Sequence, residues 1–200
     1  MLTFERKQVM EQIDPLPKRL RVAFAAACAQ RQLPNYVRTS AANPTGNPKA
    51  VTRMLRELWG DIARDAFARE KIQHEAALCA ALIPDYVECF EGIEYAEDAV
   101  LSLAFALDTA LSGTSEDTMW AAQRAYSALN EYVIQRFAVD TNAPHAQAFI
   151  DSFPMIQAEL SRQQVDLAEL RAAVKHPGSE AAVIARIKGR AESDAASFFG

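Results

Sequence analysis

Residues 21–36 read Arg-Val-Ala-Phe-Ala-Ala-Ala-Cys-Ala-Gln-Arg-Gln-Leu-Pro-Asn-Tyr. The first half is dominated by alanine, the residue with the highest helix propensity. Leu20, Phe24, Ala27 and Cys28 share one face of a helix starting near Pro17. The alanines at 23, 25, 26, 27 and 29 let a neighbouring helix lie close against its backbone. In the second half, Pro34 can open a new helical turn without losing a hydrogen bond. The stretch therefore predicts a helix-to-helix corner holding a guanidinium (Arg31), an amide (Asn35) and a phenol (Tyr36).

Outward from this corner the chain keeps the same helical character. A first helix is predicted from Phe4 to about Ile13, stopped by Asp14-Pro15. After a loop at Ala42–Pro48, Asn47 caps and Pro48 opens a helix with core face Val51, Met54, Leu55, Leu58 and Trp59. Gly60 weakens that helix without ending it. Residues 66–82 form another, halted by Pro84. Tyr95–Ser112 is apolar nearly all round and is placed at the centre of the bundle, with Gly113 as its C-terminal cap. Thr114 to Asp117 fits a capping box for a helix presenting Met119, Ala122, Tyr126, Leu129, Val133 and Phe137 at steps of three and four. Pro154 bends or restarts the segment after the Asp140–Pro144 turn. Phe153, Ile156, Leu160, Gln163, Leu167, Leu170 and Val174 then make a heptad seam with one polar interruption. A last helix runs from Ser179 to about Ala196. The reading is all-α: a compact multi-helix bundle of about seven to nine helices in a single domain over 1–200.

Composition supports this. Half of the 200 residues are hydrophobic and only seven are glycine, little material for hairpin turns. Cys28, Cys79 and Cys89 form no C-x-x-C pair and read as buried free thiols, and His74, His145 and His176 are scattered. No metal or cofactor is expected. The N-terminus lacks the apolar run of a secretory signal, and the longest apolar stretch, Ala99–Leu111, is too short to span a bilayer. A cytoplasmic location is expected.

Charge is unevenly distributed. Residues 15–64 hold nine Lys/Arg against two Asp/Glu, and residues 72–131 hold one against eleven. The two blocks are expected to pair, within a subunit or between subunits. The acidic run Asp85, Glu88, Glu91, Glu94, Glu97 and Asp98 reads as solvated or arginine-paired. A net charge of −5 argues against general nucleic-acid binding.

Several segments resemble a known family. Ala-Cys-Ala-Gln-Arg-Gln-Leu-Pro-Asn-Tyr (27–36) is similar to the signature of the YjaG-like bacterial proteins, a family of unknown function (domain of unknown function 416). Arg-Met-Leu-Arg-Glu-Leu-Trp (53–59), Ile83-Pro84, Glu97-Asp98-Ala99 and Leu111-Ser-Gly113 continue the resemblance in order, over roughly residues 20–175. Where members often carry an acid before the arginine, this chain has Gln30, and the region after His176 is outside the match. The resemblance implies an all-helical cytoplasmic protein and no particular reaction.

The candidate ligand or structural corner comprises Arg31, Asn35, Tyr36, Trp59 and Asp98. Either Arg31 holds an anionic ligand beside Tyr36, or it pairs with an acid of the central helix while Asn35 and Tyr36 satisfy open backbone groups. Trp59 reads as a core anchor, and Asp98 as a carboxylate favoured by a helix start. His74-Glu75 begins like a zinc-protease helix, but Leu78 stands where its second histidine belongs. No catalytic constellation is seen. The expected function is non-enzymatic, through protein–protein contacts or self-association, with a homodimer as the form considered. The alternatives are a small anionic-ligand binder or enzyme with a pocket near Arg31 and Tyr36, and a nucleic-acid-associated factor using the basic 18–64 face. No membrane partner is expected.

Overall fold

The computed structural model describes residues 1–40, 46–83 and 93–197. Among them the chain forms nine helices and no strand: α1 (Arg6–Ile13), α2 (Lys18–Ser40), α3 (Pro48–Arg64), α4 (Arg69–Ala80), α5 (Ile93–Ser112), α6 (Ser115–Phe137), α7 (Ala146–Asp151), α8 (Pro154–Val174) and α9 (Glu180–Ser197). Most of the 42–48 loop, Pro84, the acidic run from Asp85 to Glu91, Cys89 and the final Phe198-Phe199-Gly200 lie outside the described residues.

The corner predicted at 30–36 is absent. Helix α2 runs unbroken from Lys18 to Ser40 with Pro34 inside it. Proline removes one N–H and crowds the carbonyl four residues back, a cost of about 3 kcal/mol in a helix interior. Tertiary anchors on both sides of Pro34 oppose that cost. Before it, Arg31 is clamped by two carboxylates of α8. After it, the Tyr36 hydroxyl accepts the Asn47 backbone N–H at 3.0 Å, fastening α2 to the start of α3.

The centre of the bundle is α2 rather than α5. All residues from Val22 to Ala29 are no more than 2% exposed, which requires neighbours on every side of the helix. Helices α3, α5, α6, α8 and α9 all pack against it. Alanine scores low on hydropathy, so the most buried helix is not the most apolar one. The greasier α5 leaves Leu101, Ala104, Phe105 and Asp108 only partly covered. It packs against α2, α4 and α6.

Cations at the start of α2 face the ends of other helices. Lys18 donates to the Leu111 carbonyl and Arg21 to the Gly113 carbonyl at the end of α5. Arg19 donates to the Ile62 and Ala63 carbonyls at the end of α3. Open carbonyls at a helix C-terminus carry partial negative charge and favour such donors. Gly113 makes this fit possible: its φ is +72°, and a Cβ there would stand 3.2 Å from the Lys18 side chain. Thr114 caps α6 by accepting from the Asp117 N–H, as its sequence predicts.

Two apolar clusters result. The larger joins α1 to α6 with Leu167, Leu170, Val183, Ile184, Ile187 and Ala191. The smaller gathers Leu129, Val133, Ile150, Ile156 and Leu160 where α6, α7 and α8 meet. The predicted heptad seam of α8 is thus divided between the chain's own two clusters, and Val174 at its end is 41% exposed. None of the described helices is long and apolar enough to cross a membrane.

Candidate functional site

Arg31 is 1% exposed, and its guanidinium is held entirely by protein groups. Its Nε donates to Glu159 Oε2 at 2.8 Å and its Nη2 to Glu159 Oε1 at 3.1 Å, a bidentate fork. Its Nη1 donates to Asp166 Oδ2 at 2.8 Å. The acids come from α8, not from the 94–108 stretch expected to supply them. Planar forks of this kind are the strong form of a charge-assisted hydrogen bond.

The network extends to both sides. Gln163, one turn from Glu159, donates from Nε2 to Glu159 Oε1 at 2.9 Å and to the Ala122 carbonyl at 3.1 Å. This ties α6 to the same carboxylate. On the far side, Asp166 Oδ1 accepts from Arg190 Nη2 of α9 at 2.6 Å. Arg190 also donates to Glu169, which accepts a further bond from Arg186. Arg31, Arg186 and Arg190 thus meet Glu159, Asp166 and Glu169, and the charges cancel. Burial disfavours the Arg31 cation, but the Glu159 and Asp166 carboxylates hold its pKa well above the usual arginine value. Burial likewise pushes the Cys28 thiol far up, leaving it protonated and inert at neutral pH.

The other predicted residues are not brought to one place. Asn35 donates to Gln32 Oε1 at 2.7 Å, and Tyr36 is engaged by Asn47. Trp59 is buried, donating from its indole to Gln30 Oε1 at 3.2 Å. Gln30 thus serves α3. Asp98 lies apart, paired with Arg124 of α6 at 2.9 Å. Glu75 accepts a bidentate pair from Arg53. Glu159, Asp166 and Arg190 were missed. Glu159, Gln163 and Asp166 follow a four-then-three spacing, which puts them on one face of α8, but the spacing does not say whether that face is buried.

Within this chain and among the described residues, the basic and acidic blocks do not pair as blocks. Arg31 finds its acids at 159 and 166, and Asp98 finds its cation within the acidic stretch. Among the described residues, Arg53 to Glu75 is an ion pair that does join residues 15–64 to residues 72–131.

Asp98 supplies a pH-dependent test. Burial pushes its carboxyl up to about 6 against the opposing bond from Arg124. An unfolded aspartate releases its proton near pH of about 3.9. Between those values the folded state holds more protons than the unfolded one, so stability falls as pH rises through the window and levels off above it. Asp98→Asn lacks this titration. The stability of wild type minus that of the variant should fall by on the order of 2 kcal/mol from pH 4 to pH 7. Urea unfolding at both pH values measures it, and an unchanged difference would show that Asp98 does not titrate in this window.

Fold and network together define an all-α protein that buries an arginine–carboxylate lattice where α2, α8 and α9 meet. The chain belongs to the DUF416 family of proteins of unknown function, whose model matches residues 8–200. That match takes in α9, beyond the segments at 20–175 that carry the resemblance in sequence. A crystal structure of a DUF416 family protein from Shewanella baltica OS155 has the same fold, with a TM-score of 0.77 at 20% identity over 92% of this chain and 93% of that one. No curated protein matches the chain in sequence.

Proposed function

We propose that the protein is non-enzymatic and acts by self-association through the end of the bundle where α6, α7 and α8 meet. The observation that carries this reading is an exposed aromatic cluster. Phe137 and Phe149 are 52% and 53% exposed. Phe153 lies between them, its ring centroid 4.7 Å from that of Phe137 and 5.2 Å from that of Phe149. Adjacent exposed aromatics of this kind mark contact surfaces more often than isolated apolar residues do. The cluster itself is uncharged, so a twofold axis through it sets no like charges against each other.

The alternatives fit the geometry less well. An anionic ligand near Arg31 would have to displace Glu159 and Asp166 from a guanidinium that solvent barely reaches. A nucleic-acid face over residues 18–64 would need a broad array of free cations, yet Lys18, Arg19, Arg21, Arg31, Arg53 and Arg64 are engaged with protein groups, and Lys49 with Arg56 alone is a small remainder for a polyanion.

Light scattering at micromolar concentration tests the proposal. The wild type should be dimeric at low and high salt, because an apolar contact is not screened. Phe137→Ser with Phe149→Ser should be monomeric with unchanged helicity, since each buried phenylalanine contributes about 1.5–3 kcal/mol. A wild type that is strictly monomeric in both salts would overturn the reading.

A further inference from the structure

A second surface, where α2 ends and α3 begins, has the opposite electrostatic character. Val37, Pro48, Lys49, Thr52, Arg53 and Arg56 line an open groove of about 500 Å³. Val37 is 42% exposed, an apolar side chain left facing solvent. The Pro48 ring adds apolar surface. The Thr52 hydroxyl already donates to the Pro48 carbonyl at 2.7 Å, which leaves its methyl for apolar contact. Arg53 is answered by Glu75 and Glu57. Among the described residues, Lys49 and Arg56 have no ion-pair partner and no carboxylate lines the groove.

Lys49 and Arg56 are seven residues apart on α3, which puts them on one face two turns apart, separated by about 10 Å along the axis. Carboxylates three residues apart on an extended segment in the polyproline II conformation share one face and span nearly the same distance, since it has three residues per turn and each advances about 3.1 Å. A second copy of this face is a poor occupant, because a twofold contact would set these cations against each other. We propose that the groove binds an extended acidic peptide segment in which two carboxylates, three residues apart, flank apolar side chains. The carboxylates meet Lys49 and Arg56, and the apolar residues between them cover Val37 and Pro48. The surface is separate from the phenylalanine end, so either proposal stands if the other fails.

The probe is a fluorescein-labelled peptide of sequence Ser-Glu-Leu-Phe-Glu-Ser, followed by anisotropy on the full chain at low salt. Binding is expected, and Lys49→Glu with Arg56→Glu should weaken it by at least about tenfold, equivalent to 1.4 kcal/mol. Val37→Asp should weaken it as well, and circular dichroism verifies that these surface variants keep their helicity. A Ser-Glu-Ser-Ser-Glu-Ser peptide should bind at least about tenfold more weakly than the apolar one. No binding, equal binding of the two peptides, or indifference to the charge reversal overturns the proposal. Tighter binding of a single-stranded oligonucleotide than of the peptide also overturns it, by assigning the cations to a polyanion.

Discussion

Arg31→Met is expected to destabilise the protein by about 3–5 kcal/mol, the loss typical of breaking a buried ion pair from one side. The methionine fills much of the arginine's volume, so packing is largely kept and the missing charge dominates. Glu159, 0% exposed, would keep only Gln163 as a donor, and Asp166 would keep only Arg190. Lysine at position 31 should fall between, because an ammonium cannot reproduce the two parallel bonds to Glu159. The double variant Arg31→Met with Glu159→Met should recover part of the loss, since the buried Glu159 charge is then removed while Asp166 keeps its bond from Arg190. Urea unfolding of the wild type, Arg31→Met, Glu159→Met and their double variant measures the cycle, with Arg31→Lys beside it. A loss below about 1 kcal/mol for Arg31→Met, of the size seen for exposed pairs, would mean the carboxylates are not held as described.

The all-helical class and most helix boundaries were legible because they rest on local signals: apolar residues at steps of three and four, Thr114 and Asn47 as caps, Pro48 and Pro154 at helix starts. Pro34 misled for the same reason. Its local preference is to interrupt a helix, and what overrides it, the Arg31 clamp and the Tyr36–Asn47 bond, joins residues far apart in sequence or in another helix. Arg31 stands out in the sequence, but its partners lie 128 and 135 residues away. Glu159 and Asp166 look in sequence like the solvent side of an amphipathic helix. Only the arrival of α2 and α9 on that side makes them interior. The uneven charge distribution does not by itself name partners, since it counts residues along the chain while ion pairs such as Arg31 with Glu159 form across helices.

The identity of the central helix is the other feature that hydropathy hides, and it leads to the second large expected effect. Ala26→Leu should destabilise the fold by about 1–3 kcal/mol or more, although leucine is the more hydrophobic residue. At an ordinary half-covered helix position the added methyl groups would find space or solvent. At Ala26, with zero exposure and buried neighbours from Val22 to Ala29, they meet helices already in contact. Those helices cannot yield independently. Moving α8 or α9 away from α2 stretches the Arg31 fork and the Arg190 bonds, so steric strain at Ala26 also strains the ion network. The two sites should therefore be coupled: Ala26→Leu combined with Arg31→Met should lose less than the sum of the single losses, because the first change has already loosened what the second removes. Ala182→Leu, at an exposed position of α9, is the control and should change stability by no more than about 0.5 kcal/mol. Thermal and urea unfolding of these variants decide the matter. A neutral or stabilising Ala26→Leu would show that the alanines of α2 leave unfilled space and that the bundle is not packed tightly around it.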